Sequence, residues 1–238
     1  MMLTVPSALT PLKRTTWKPQ VKHGDGRLYE SKFAGTPWLA SNESWPTCQH
    51  CDKPMPLFLQ LNLDTIPETL HGEFGSGLLQ LFYCTSTDPY CEVENEAFFP
   101  FTSGKLARVL IPEGEPHHIE RPEAARIFPP RRIIDWQAEE DYPNWEESLE
   151  YGVKLSEKEW DRLSEEGLPR NGDKLAGWPL WIQGVEYPAC PICHERMRFI
   201  FQIDSDDHLP YMFGDLGCGQ ITQCPIHITQ VAFAWACS

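Results

Sequence analysis

"WPTCQHCDKPMPLFLQLN" at residues 45–62 and "YPACPICHERMRFIFQID" at residues 187–204 have nearly the same wording, 142 positions apart. Each places two cysteines two residues apart, a methionine four residues further on, and then a short apolar run ending near a glutamine. The runs at 57–61 and 199–203 are aromatic, branched and continuously apolar, the pattern of a strand buried on both faces. A Cys-x-x-Cys turn feeding a buried strand therefore occurs twice, and the fold follows from how far that repetition extends.

Laid over one another at this offset, residues 32–64 and 174–206 match without a gap at ten of thirty-three positions. Both copies open on Lys-x-Ala-Gly-x-Pro (Lys32, Ala34, Gly35 and Pro37; Lys174, Ala176, Gly177 and Pro179). Glycine there supplies an unusual backbone angle, and proline fixes the next φ. At an offset of 140, "GLLQLFYC" (77–84) lies over "GCGQITQC" (217–224), aligning Gln80 with Gln220 and Cys84 with Cys224. This predicts second strands at 78–83 and 220–223. Further strands are expected at 96–101 and 105–111 in the first copy and within "TQVAFAWAC" in the second. Two copies make a pseudo-twofold pair and not a solenoid. The expected fold class is α+β, mostly β: two antiparallel-sheet units, each with a cysteine-rich zinc-type knuckle, and a few short helices between them.

The resulting division is an N-terminal extension at 1–31, a first unit at 32–111, a connection at 112–173 and a second unit at 174–238, folded as one chain. The connection starts with five prolines at 112, 116, 122, 129 and 130, which suits an extended surface path. "RRIIDW" reads as a strand. Residues 135–173 hold thirteen acidic and four basic side chains. Asn144 can cap a helix over 145–151, with Gly152 beyond its end. Ser156 and Glu159 form a capping box for a second helix, and Leu155 and Trp160 its hydrophobic staple.

The 238 residues include 34 acidic and 20 basic ones, a formal net charge of −14. Such a field repels phosphate backbones and anionic lipid, so nucleic-acid and membrane partners are not expected, while a basic protein would be attracted. No stretch approaches the roughly 20 apolar residues of a membrane span. The first residues, broken by Pro6 and Pro11, carry no signal-peptide core, and a cytoplasmic location is expected. In a reducing compartment, spaced cysteines bind metal or lie buried more often than they pair.

The second copy offers Cys190, Cys193, Cys224 and His227; Cys218 or Cys237 could replace the histidine. The first offers Cys48, Cys51, Cys84 and Cys91. Two close pairs on separate turns can converge on a tetrahedral site, and thiolate with imidazole suits structural Zn²⁺, one per repeat. Buried thiols are the plain alternative. A thioredoxin-like redox site would want its first cysteine at a helix N-terminus, whereas these pairs precede strands. The "DSDDH" run at 204–208 reads as a polar loop without an EF-hand spacing, and His117 and His118 fall in the proline-rich connection. No nucleophile elbow, zincin or dinucleotide motif occurs, so no catalytic residues are assigned. Gln60, Gln202, Gln80 and Gln220 recur at matched places, where an amide could hold a peptide backbone or satisfy its own.

"KLAGWPLW", "CPICHERMRFIFQID" and "FGDLGCGQITQCPIH" resemble the bacterial YwqG-like domain of unknown function, and "CQHCDKPMPLFLQLN" with "GLLQLFYC" is similar to the programmed cell death protein 2 and Tsr4 families. These groups have been proposed to form one superfamily. The resemblance spans both repeats but not the acidic middle, and implies a duplicated β unit that binds protein without catalysis; the eukaryotic members are chaperones of a ribosomal protein. Asp52 and His194 stand where a glycine is common after the second cysteine. The expectation is a zinc-stabilised protein- or peptide-binding module, chaperone-like toward a basic partner. A binding protein of bacterial immunity or stress, and a hydrolase or thiol-redox enzyme with a cleft between the repeats, are the alternatives.

Overall fold

The apolar runs form strands for a reason visible in their side-chain directions. A computed structural model describes residues 5–91, 99–114, 122 and 128–238. In it, strand β3 (Leu57–Asn62) is paired with β4 (Leu78–Tyr83), and the register slips between Leu57 and Leu59. Strand β8 (Arg198–Asp204) pairs with β9 (Cys218–Gln223), with the same slip between Phe199 and Phe201. A bulge of this kind inserts one unpaired residue. It lets Phe58 and Leu59, and likewise Ile200 and Phe201, enter the same central core consecutively. Strict alternation is broken at that point, which is why the sequence reads as a solid apolar block.

Two two-residue strands, β2 (Lys32–Phe33) and β7 (Lys174–Leu175), cover the outer edges of β3 and β8. Strands β5 (Lys105–Leu110) and β10 (Val231–Ala236) continue from β4 and β9. Two long strands join these flanks: β1 (Arg14–His23) and β6 (Arg131–Asp141), antiparallel to one another. The sheet runs β10-β9-β8-β7-β1-β6-β2-β3-β4-β5, every pair antiparallel. Its ends, β5 and β10, curl round to approach each other, giving a nearly closed barrel. The Tyr83 hydroxyl accepts from Trp235 Nε1 at 2.8 Å across that closure.

The interior is aromatic. Phe58, Tyr83, Phe213 and Phe233 have no appreciable exposure and meet edge-on or tilted at 5.1–6.1 Å between ring centres. Each such burial contributes about 1.5–3 kcal/mol. Tyr211, on the loop after β8, packs against Phe58 at 5.0 Å and Tyr83 at 5.7 Å. The loop after β3 reaches the opposite way: Gln223 Nε2 donates to the Phe74 carbonyl at 3.0 Å.

Several expectations shift. The strand anticipated from "RRIIDW" runs on to Asp141, into the acidic segment. Strand β1 lies inside the N-terminal stretch read as an extension, and β9 starts two residues before the expected point. Of the expected strand at 96–101, residues 96–98 lie outside the described residues, and 99–101 are not strand. Helix α1 (Trp145–Glu150) is capped by Asn144 Oδ1, which accepts from Glu147 N at 2.9 Å. Helix α2 (Glu157–Glu165) carries the Ser156–Glu159 capping box. Leu155 and Trp160 pack with Leu9, Tyr142 and Leu163 in a small satellite core. Among the described residues, no helix is long and apolar enough to cross a membrane.

Candidate metal centres

Each cysteine pair sits on a tight turn that the local sequence dictates. In the first, Cys48 N donates to Lys53 O at 2.9 Å and Asp52 N to Cys48 O at 2.8 Å. In the second, Cys190 N donates to Glu195 O and His194 N to Cys190 O, both at 2.9 Å. Such a turn needs a left-handed residue after the second cysteine. Asp52 takes φ +56° and His194 φ +61°, a conformation that short polar side chains tolerate better than most. The absent glycines therefore leave the turn intact. Met55 N and Met197 N then bond back to Pro46 O and Pro188 O, both at 2.9 Å, steering the chain into β3 and β8.

The remaining donors arrive from the far ends of β4 and β9. Cys48, Cys51, Cys84 and Cys91 bring their sulfurs within 4.8 Å of one another, and so do Cys190, Cys193, Cys224 and His227 with one ligand atom each. The Cys51–Cys84 and Cys193–Cys224 sulfurs are 3.6 and 3.5 Å apart. His227 Nδ1 lies 3.9 Å from Cys190 Sγ and 3.8 Å from Cys224 Sγ. A tetrahedron with metal–sulfur bonds of about 2.3 Å has edges of about 3.8 Å, so both clusters fit one cation. Amides of Ile226 and His227 point at Cys224 Sγ at 3.4 and 3.2 Å, and Ile192 N at Cys190 Sγ at 3.4 Å. Burial pushes the Cys224 thiol up, but the His227 and then the Ile226 amide hold it below its ordinary value.

His227, and neither Cys218 nor Cys237, completes the second cluster. Cys218 is fully buried in β9, and Cys237 packs beside Gly214. In the first cluster, burial and then the neighbouring sulfurs push the Cys91 thiol up to about 12; burial likewise raises Cys84. Four sulfurs this close resist joint ionisation unless a cation neutralises them. With four protein donors each, an ion held in either cluster would have no open position for substrate or water.

The four glutamines are packed inside, with 5% exposure or less. Gln60 Oε1 accepts from Trp38 N at 3.0 Å, and Gln202 Oε1 from Leu180 N at 2.8 Å. Gln80 Nε2 and Gln220 Nε2 donate to the carbonyls of those same residues at 2.7 and 3.0 Å. The amides hold the segment that leads to each knuckle, and serve their own backbone. Asp173, Asp207 and His208 also cluster, but as a hydrogen-bonded loop. Asp173 accepts from Asp204 N at 2.8 Å and lies 2.9 Å from His208 Nδ1. His117 and His118 lie outside the described residues.

Two ion pairs on fully buried lysines were not foreseen from the sequence. Lys32 Nζ meets Asp25 Oδ1 at 2.8 Å, and Lys174 Nζ meets Asp141 Oδ2 at 2.9 Å. Each aspartate's second hold is on a backbone amide, Thr36 N or Trp178 N, at 2.8 Å. The matched lysines were the available signal; their aspartates are at unmatched distances along the chain.

The class is a barrel-like antiparallel sheet that carries two four-donor clusters, each close enough to hold a metal ion. The comparison with known families agrees in extent: residues 31–236 match the family described as "Domain of unknown function (DUF1963)", and the chain belongs to it. A shorter stretch of 40 residues is 40% identical to the "Uncharacterized protein YpfL" of Salmonella typhimurium; it covers 17% of this chain and 9% of that protein.

Proposed function

We propose that the protein is a non-catalytic, zinc-stabilised protein- or peptide-binding module, chaperone-like toward a basic partner, built from two copies of one turn-and-strand unit. The observation that carries the reading is the closure of both clusters. Four soft protein donors around one point suit Zn²⁺, and a saturated coordination shell stabilises a fold but performs no hydrolysis. Cys48, Cys51, Cys84 and Cys91 would hold one ion; Cys190, Cys193, Cys224 and His227 the other. Duplication is supported by matched positions with matched roles: Lys32 and Lys174, Gln60 and Gln202, and the positive φ at Ala34 and Ala176, 56° and 57°.

A basic partner is favoured by the net charge of −14, because such a field speeds and orients encounter with a cationic chain. The motif resemblance to the YwqG-like and programmed cell death protein 2 families points the same way. The test has two arms. Elemental analysis of protein purified without added metal should give close to two zinc ions per chain. Affinity capture at low salt should retain basic proteins whose binding falls steeply as salt rises. Less than half an ion per chain would remove the zinc, and capture of no basic partner would remove the chaperone role.

A further inference from the structure

Beside the second cluster, strand β1, helix α1, the loop at 69–74 and the start of β8 border an open pocket of about 640 Å³. That size falls within the range of small-molecule sites. Its walls combine aromatic faces, among them Trp17, Phe74, Tyr151 and Phe199, with three arginines: Arg14, Arg196 and Arg198. Against these stand two lining carboxylates, Glu73 and Glu147, so the wall is slightly cationic in a chain of net charge −14.

What matters is which hydrogen-bonding capacity is still open. Arg196 is engaged by Glu150 at 2.6 Å. Glu147 is buried, and its two oxygens accept from Tyr187 OH at 2.5 Å and Trp181 Nε1 at 3.2 Å. Glu73, the other carboxylate on the wall, is exposed to solvent. Arg14 stacks its guanidinium 3.3 Å over the Trp178 ring and donates one N–H to Gly177 O at 3.3 Å. Among the described residues no carboxylate pairs with Arg14 or Arg198. Arg198 Nη2 donates to the Glu73 carbonyl and, at 3.0 Å, to Gln223 Oε1, whereas Arg198 Nε and Trp17 Nε1 are buried donors with no partner. Buried polar atoms are normally satisfied, and these two orphans lack an acceptor; Arg14 is exposed, so solvent serves the donors of its fork that Gly177 leaves free.

We propose that this pocket binds a small molecule carrying an oxyanion, a phosphate monoester or a carboxylate, joined to a flat apolar group. Arg14, with its donors in a planar fork, takes the anion. Arg198 and Trp17 supply further donors, and the aromatic walls take the apolar group. The site is independent of the proposed protein partner, and of opposite charge preference.

The test is calorimetric titration of the full metal-loaded chain with phenyl phosphate, phenylacetate and, as the matched cation, benzylamine. At least one anion should bind with a dissociation constant below about 1 mM, and benzylamine should bind at least tenfold more weakly. The two anion arms separate phosphate from carboxylate preference. Arg14→Gln should weaken the bound anion at least tenfold, with metal content and melting temperature retained. If that variant does not fold, Trp17→Phe keeps an aromatic ring, though a smaller one, removes the N–H and should weaken the anion by threefold or more. No heat from either anion up to 10 mM, benzylamine binding as well as the anions, or anion affinity unchanged in whichever variant folds would each overturn the proposal.

Discussion

The two flanks of the sheet repeat the same local geometry with different electrostatic content. The first cluster has four thiols and the second three thiols and an imidazole, so a divalent cation leaves net charges of −2 and −1. In the first flank the clamp aspartate, Asp25, has a side chain 34% exposed; in the second, Asp141 has none. A backbone plan can evidently be kept while burial and charge around it change, and each difference gives the two flanks a distinct sensitivity.

The largest effect should come from the proposed metal ligands. Zinc bound to small folds supplies free energy on the order of 10 kcal/mol, comparable to the stability of a whole domain. Cys190→Ser and Cys48→Ser should each lower zinc from two ions to one and cut the melting temperature by ten degrees or more. Cys218→Ser, outside both clusters, should keep both ions. Retention of two ions in either ligand variant, checked by elemental analysis, would contradict the assignment.

Next come the clamps. Lys174→Met leaves Asp141 buried and without its cation, a change that typically costs about 3–5 kcal/mol. Lys32→Met leaves Asp25 partly in water, and the loss should be nearer 1–2 kcal/mol. Urea unfolding of both variants measures the gap. Equal losses would mean that burial of the aspartate does not control the cost.

These two cases also show what the sequence could convey. Cysteines at fixed spacing point to a shared location, because a closed site needs four donors at one point; both groups that the fold brings together were legible. The matched lysines were visible but their role was not, since Asp25 follows β1 and Asp141 ends β6, both outside the repeated stretch. Strand β1 itself, RTTWKPQVKH, is polar with a proline inside. It is a central strand with one face left partly exposed, so no apolar run announced it. The arginines of the pocket are brought together from residues 14 and 198 by β1 lying beside β7 and β8, which is tertiary information.

A third contrast is pH. Ser31 Oγ accepts from Asn62 N at 2.9 Å, and at the matching place Asp173 Oδ1 accepts from Asp204 N at 2.8 Å. Burial raises the Asp173 carboxyl to about 6. His208 is raised too: burial opposes the shift, but Asp173 and then Asp207 outweigh it, with Arg131 working against them. Asp204, raised by its own burial, lies beside them. For both Asp173 and His208 the folded state holds its proton to higher pH than the unfolded chain. Their contribution is therefore full at low pH and falls as pH rises, through about 4–6 for Asp173 and from about 6.5 upward for His208. Asp173→Ser should flatten the fall between pH 5 and 7, by about 1 kcal/mol, in unfolding measured across that range; an unchanged slope would assign it to other groups.

The smallest difference concerns the second glutamine of each flank. Gln80 Oε1 accepts from Arg108 Nε and Nη2 at 2.9 and 2.8 Å, and Gln80 Nε2 donates to Gln60 Oε1 at 2.9 Å. Arg108 continues to Glu43, so four side chains are linked. In the other flank the residue facing Gln220 across the ladder is Ala234, where no side-chain donor exists to extend the network. Gln80→Leu removes an acceptor for a half-buried guanidinium and a donor to Gln60, and should cost about 2 kcal/mol. Gln220→Leu loses its bond to Leu180 O and should cost about 1 kcal/mol. Since a leucine is apolar and of similar size, the contrast isolates polar connectivity from packing. A loss for Gln220→Leu equal to that for Gln80→Leu would show that holding the knuckle's lead-in segment, common to both flanks, is the whole contribution, and that the Arg108 extension adds nothing to it.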